Sequence, residues 1–141
     1  QTRKFWVCAK NSWRDTISIG GGSGTCQAEG GGPMIDLPDT LHVSRETQER
    51  LEAFVALLEK WNPRINLVSS RDIASVWERH VLDSLQLAPL VAGQERFIDM
   101  GSGGGFPGVI VAIATGVPGT LIASDQRKAA FLRCWPSGLS R

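Results

Sequence analysis

A chain of 141 residues, 42% hydrophobic and 21% charged, holds enough apolar material for one core and too little for two independent domains. Its formal net charge of +1 excludes a global basic excess, so composition by itself names no nucleic-acid partner. Cys8, Cys26 and Cys134 are scattered without CxxC spacing, which excludes an evident zinc site or disulfide framework and leaves a reducing setting as the expectation. No run approaches about eighteen apolar residues and the first residues lack an apolar signal region, so a soluble, non-exported chain without metal or membrane partner is expected.

Residues 1–33 carry "GGGSG" at 20–24 and "GGG" at 30–32, and Phe5, Trp6, Trp13, Ile17 and Ile19 keep no sustained period. Such a segment buries too little to offset its ordering entropy, and the sequence predicts a disordered or non-native extension there. A phosphate loop at "GGGSGT" is argued against by the missing lysine and hydroxyl that close that motif. Ser44 then caps a helix over 45–62 whose apolar stripe is Leu51, Phe54, Val55, Leu58 and Trp61, and Pro63 is expected to end it. Ser70 caps a second helix over 71–88, with Ile73, Val76, Trp77, His80, Val81, Ser84 and Leu85 on one face and Pro89 beyond it. "RFIDM", a glycine turn, "GVIVAIAT", "GTLIASD" and "QRKAAFLR" read as strand, turn, helix, strand, helix, a βαβ unit over 96–133. Its two strands are parallel and end at one sheet edge, where ligands bind in open α/β folds. "CWPSGLSR" breaks the helical pattern, so 134–141 is expected to be an unrelated tail and the sheet to stop at two strands.

"DMGSGGGFPG" at 99–108 supplies five glycines where the first strand turns into its helix. Glycine there removes the side chain that would keep a ligand from the main chain and the helix N-terminus. Gly101 and Gly103, with Ser102 between them, serve the turn and close approach; Gly105 serves the start of the helix and Gly108 close packing of helix on strand. Gly103, Gly105 and Gly108 also satisfy GxGxxG, which keeps an NAD(P)-dependent oxidoreductase open as an alternative. Counted from Gly101, however, Phe106 stands where a dinucleotide fold places its third glycine. Asp99 favours a cationic ligand over a pyrophosphate, or else receives the loop's own amides; Asp125 can accept both hydroxyls of a ribose, or else cap the next helix.

Together "KWN" at 60–62, "NL" at 66–67, "RHVLDS" at 79–84, "DMGSGGGFPG" at 99–108, Asp125 and "RKAAFL" at 127–132 make the chain resemble the RsmG/GidB family of 16S rRNA (guanine-N7) methyltransferases. The resemblance covers about Ser44 to Arg133. It implies an α/β fold: N-terminal helices followed by the first βαβ unit of a class I (Rossmann-like) methyltransferase, incomplete at the C-terminus, in a partial domain over 34–133. It further implies S-adenosyl-L-methionine as cofactor, 16S ribosomal RNA or the small-subunit particle as partner, and a cytoplasmic setting. By position it makes Gly101 and Phe106 cofactor contacts and Asp125 the ribose-binding acid. The family continues through further strands, a second cofactor-contacting loop and an arginine motif, so impaired activity is expected of a chain without them.

Guanine N7 carries an in-plane lone pair and no proton, so this chemistry needs no general base and no catalytic residue is expected. Phe106 either walls the methyl pocket or packs under the loop, and His80, Trp61 and Trp77 are expected to be structural. Arg64, Arg71, Arg79, Arg127 and Lys128 are candidate phosphate contacts that read equally as solvated surface. A non-catalytic RNA- or protein-binding fragment is the third alternative.

Overall fold

The structure is a computed structural model that describes the strands β1 (Lys4–Ala9) and β2 (Ile17–Gly20) and the continuous stretch 43–137. Helix α1 spans Arg45–Ile65 and begins where expected: the Ser44 hydroxyl accepts the Thr47 amide at 3.2 Å, and Leu51, Phe54, Val55 and Leu58 are buried. It does not stop at Asn62. Pro63 lies inside the last turn, where its fixed φ is helical and the carbonyl it leaves unpaired belongs to exposed Glu59, within reach of water. Asn66 ends the helix in the left-handed conformation (φ 49°), donating its amide to Asn62 O at 2.9 Å, while Asn62 Oδ1 accepts the Val68 amide at 2.9 Å.

The second expected helix, 71–88, is a series of short pieces. Ser69, not Ser70, is the cap; its hydroxyl accepts the Asp72 amide at 3.2 Å and opens α2 (Ser70–Ile73). A π-helical turn over Trp77–Leu82 then runs into α3 (Asp83–Leu85), and α4 (Ala88–Val91) follows with Pro89 in its first turn, where a missing N–H is harmless. The π turn has a physical reason: Val76 and Val81, both buried, are five residues apart, a spacing that a 3.6-residue helix turns off its own face and a wider turn restores.

Strands β3 (Phe97–Met100) and β4 (Gly119–Ala123) are parallel, joined by α5 (Gly108–Thr115), and α6 (Gln126–Ser137) leaves β4. This is the βαβ unit expected from sequence. Among the described residues, however, the sheet has four strands in the order β2-β1-β4-β3, with β1 parallel to β4 and β2 antiparallel to β1. Two segments expected to lack structure are therefore strands. Their pattern is too short to show locally, but Phe5, Trp6 and Val7 are good strand formers, and pairing of β1 satisfies the backbone edge that β4 would otherwise leave open. The rest of the expectation for 1–33 falls outside the described residues. At the other end α6 continues through Ser137, past the expected break at Cys134, and Trp135 packs into the core 5.0 Å from the Phe54 ring.

One apolar cluster holds these elements: Leu51, Phe54 and Leu58 of α1, Val109 and Ile110 of α5, Leu121 and Ala123 of β4, and Ala129, Phe131 and Leu132 of α6. Helices thus lie over the sheet face that carries Leu121, with α1 outside them. Each fully buried Leu or Phe contributes on the order of 1.5–3 kcal/mol, and Phe54 also meets Phe106, Phe131 and Trp135 at ring distances of 5.6, 6.0 and 5.0 Å.

Candidate functional site

The glycine loop at the tip of β3 is tied to the neighbouring strand, because the Gly101 and Ser102 amides both donate to Ile122 O, at 2.8 and 3.1 Å. Ser102 is the pin: it is 1% exposed, its hydroxyl donates to the Asp99 carbonyl at 3.1 Å, and its own carbonyl accepts the Gly105 amide at 2.7 Å. Above this base the main chain is bare. Gly101 has φ +87°, and a Cβ there would have nothing within 4 Å; at Gly103, φ +52°, only Gly101 O comes within 3.8 Å. The Gly103 amide has no hydrogen-bond partner among the described residues. Among the described residues no side chain lies within 4 Å of a Cβ added at Gly101 or Gly103.

Gly105 faces the other way. A Cβ there would lie 2.9 Å from Phe54 Cζ, 2.9 Å from Val109 Cγ2 and 3.0 Å from Leu132 Cδ2, so this glycine is required by the core beneath the loop. Gly108 lets α5 sit on the sheet, since a Cβ would run into Leu121 and come within 2.5 Å of Asp99 Oδ2. Phe106, joined to Pro107 by a cis bond, turns inward: its ring stacks on His80 at 4.9 Å and meets Phe54 edge-on. The packing under the loop that the sequence allowed is present.

The two carboxylates stand at the ends of adjacent parallel strands, and each caps the helix that follows. Asp99 Oδ2 accepts the Gly108 amide at 2.9 Å, so it faces the N-terminus of α5. Burial pushes the Asp99 carboxyl above the ordinary aspartate range, opposed by Ser102 and the Gly108 amide. Asp125 Oδ1 accepts the Arg127 amide at 2.8 Å and the Lys128 amide at 3.4 Å, and the Arg127 amide foremost holds its carboxyl below the usual value. Among the described residues Asp125 Oδ2 meets the Arg127 guanidinium alone, at 3.5 Å, and keeps further acceptor capacity.

Among the candidates named from sequence, Gly101 and Gly103 follow β3 and Asp125 follows the adjacent parallel strand β4, while Asp99, Ser102, Gly105 and Phe106 make contacts within or beneath the loop. Asp72 went unnamed. It joins α2 to the π turn through Ser69 Oγ at 2.7 Å and Arg79 Nη1 at 3.1 Å, and its Oδ2 lies 3.9 Å from His80 Nε2 behind Phe106. The S-x-x-D spacing from Ser69 was the sequence signal for it. Among the described residues no group of three or more His, Cys, Asp or Glu side chains is placed to hold a metal, and no helix is long and apolar enough to cross a membrane.

A family profile described as GidB, rRNA small subunit methyltransferase G, matches residues 47–140. Curated proteins named Ribosomal RNA small subunit methyltransferase G are similar as well. That of Gluconobacter oxydans (strain 621H) is 67% identical over 91 residues, covering 64% of this chain and 47% of the relative. That of Ruegeria pomeroyi is 51% identical over 105 residues (71% and 52%), and that of Acidiphilium cryptum 60% identical over 107 residues (64% and 49%). The chain spans about half the length of these relatives.

Proposed function

The chain belongs to the GidB family, and from that premise we propose that it supplies the cofactor-binding part of an S-adenosylmethionine-dependent enzyme that methylates a guanine N7 of bacterial 16S ribosomal RNA. The observation that carries this reading is the pairing of bare main chain at Gly101 and Gly103 with Asp125 on the adjacent strand tip. Its partner on this reading is the ribosomal RNA or the small-subunit particle, in the cytoplasm.

The residues present fit the methyl donor. An unfilled space over two left-handed glycines admits a ligand against the backbone, and the Gly103 amide offers a donor to it. Asp125 Oδ2 accepts the ribose hydroxyls while Oδ1 goes on holding the start of α6, so the sugar is fixed to a rigid element. Asp99 acts indirectly, by fixing α5 against the loop, and the neighbouring Phe106 and His80 rings hold the loop from beneath. S-adenosylmethionine, when bound, provides an electrophilic methyl group on a sulfonium. Guanine N7 would take that methyl on its own lone pair as the carbon–sulfur bond breaks and the thioether leaves, so no protein group would have to take a proton. What the protein contributes is position, an effect that reaches about 7–11 kcal/mol in favourable cases.

Calorimetric titration with S-adenosylhomocysteine tests the reading. Saturable binding is expected, with no heat from NAD, and Asp125→Ala should weaken it at least about tenfold, the loss of a hydrogen bond to a charged group. Binding of NAD in place of the methyl-donor product would overturn it.

A further inference from the structure

The turn that joins α1 to α2 packs against the glycine loop. Asn66 adopts the left-handed conformation, which Asn tolerates better than most residues, and the chain reverses so that Leu67 and Val68 are buried while Asn66 and Ser69 stay exposed. Asn62 holds both sides of this reversal: its carbonyl accepts the Asn66 amide and its Oδ1 accepts the Val68 amide, each at 2.9 Å. Between those two anchors lies Leu67, whose main chain abuts Gly104. A Cβ at Gly104 would stand 3.1 Å from Leu67 O and 3.3 Å from Leu67 Cβ, too close for a side chain unless one of the two segments gives way. Three consecutive glycines thus have three different surroundings: Gly103 the open side of the loop, Gly104 the turn after α1, and Gly105 the core formed by Phe54, Val109 and Leu132.

We propose that Asn62 is a positioning residue for the cofactor loop: its side chain pins the Val68 amide, which fixes the Leu67 main chain against Gly104 and so sets the adjoining Gly103 amide where the methyl donor meets it. Asn62 acts through Leu67 and not by touching the ligand. The geometry asks for this kind of residue, because a short side chain with an acceptor has to reach a main-chain N–H six residues on, and alanine would leave the amide of buried Val68 without that partner. A bond of this sort could serve stability alone. What ties it to the loop is that the residue it locks in place, Leu67, is the one against which the Gly104 backbone rests. The inference rests on the proposed reading of Gly101 and Gly103 as the cofactor cradle.

The test compares three variants of the full chain by S-adenosylhomocysteine titration, urea unfolding and amide NMR. Asn62→Ala should weaken binding by about fivefold or more and shift the Gly103 and Gly104 amide signals of the free chain. Asn62→Asp keeps an acceptor for the Val68 amide and should restore both the affinity and the signals. Ser44→Ala removes the cap at the far end of the same helix, about five turns away, and should lower the urea midpoint while leaving the affinity unchanged. That contrast separates positioning from stability. Binding by Asn62→Ala equal to the parent's, an Asn62→Asp as weak as the alanine variant, or an equal loss of affinity in Ser44→Ala would each overturn the proposal. If Asn62→Ala does not fold, Gly104→Ala probes the same contact from the loop's side: weaker binding is expected, and unchanged binding overturns the proposal. Failure of the parent chain to bind S-adenosylhomocysteine would count against the proposed function, and the free-chain signals then decide the positioning role: Gly103 and Gly104 unmoved in Asn62→Ala overturn it, and a shift restored by Asn62→Asp supports it.

Discussion

Gly105→Ala should damage the fold far more than Gly101→Ala, although both glycines have positive φ. At Gly105 the backbone sits at φ +101°, which costs an L residue about 1–2 kcal/mol, and the new methyl would meet three core atoms at 2.9, 2.9 and 3.0 Å. Phe54 and Leu132 are fully buried and Val109 nearly so, leaving little room to yield, and overpacking of this kind adds about 1–3 kcal/mol. Together the loss is about 2–5 kcal/mol, a large part of a domain stability of about 5–15 kcal/mol. At Gly101 only the backbone cost applies, because nothing lies within 4 Å of the added methyl. Urea unfolding followed by tryptophan fluorescence reports both, since Trp135 sits 5.0 Å from Phe54 in the affected core. Gly101→Ala should instead weaken S-adenosylhomocysteine binding by about tenfold or more, because its methyl enters the ligand's space. Equal destabilisation by the two changes would refute the assignment of one glycine to the core and the other to the cradle.

Asp99→Asn should match or exceed the parent's stability at pH 7: the amide oxygen still accepts the Gly108 N–H, and the charge penalised by the burial that raises the carboxyl's pKa is gone. Asp99→Ala, with no acceptor, should lose about 1–3 kcal/mol in the same denaturation assay. Asp125 behaves with the opposite sign. Its folded pKa is depressed, so its contribution is present above the ordinary value of 3.8 and is lost as pH falls below it; acid unfolding of Asp125→Asn should show a weaker dependence on pH in that range. A double-mutant cycle of His80→Ala and Phe106→Ala should give a coupling of about 0.5–1.5 kcal/mol from their stacked rings, measured by urea denaturation.

What could be read from the sequence was what depends on neighbours in the chain. Ser44 and the stripe from Leu51 to Leu58 announce α1 locally, and the glycines after Asp99, followed by "GVIVAIAT", announce the turn into α5. Strand β1 was invisible because what makes it a strand is the edge of β4, far along the chain, and β2 pairs with β1 alone among the described residues. The π turn was hidden inside what looked like one helical stripe, since a five-residue step from Val76 to Val81 differs little from a four-residue one on paper. Gly105 reads from sequence as serving the start of the helix, and that Phe54 and Leu132, from two other helices, converge beneath it depends on residues far along the chain. For Asp99 both roles need the same residue type, and only the 2.9 Å bond to Gly108 separates them.

Backbone amide NMR of the labelled chain during titration with S-adenosylhomocysteine tests most directly whether the β3 loop and the β4 tip form one site. The account predicts that the Gly101, Gly103 and Asp125 signals shift together along one saturation curve, and that Asp125→Ala weakens that curve while leaving the Gly105 signal in place. Shifts confined to other surfaces, or loop signals that ignore the ligand while Asp125 responds, would contradict it.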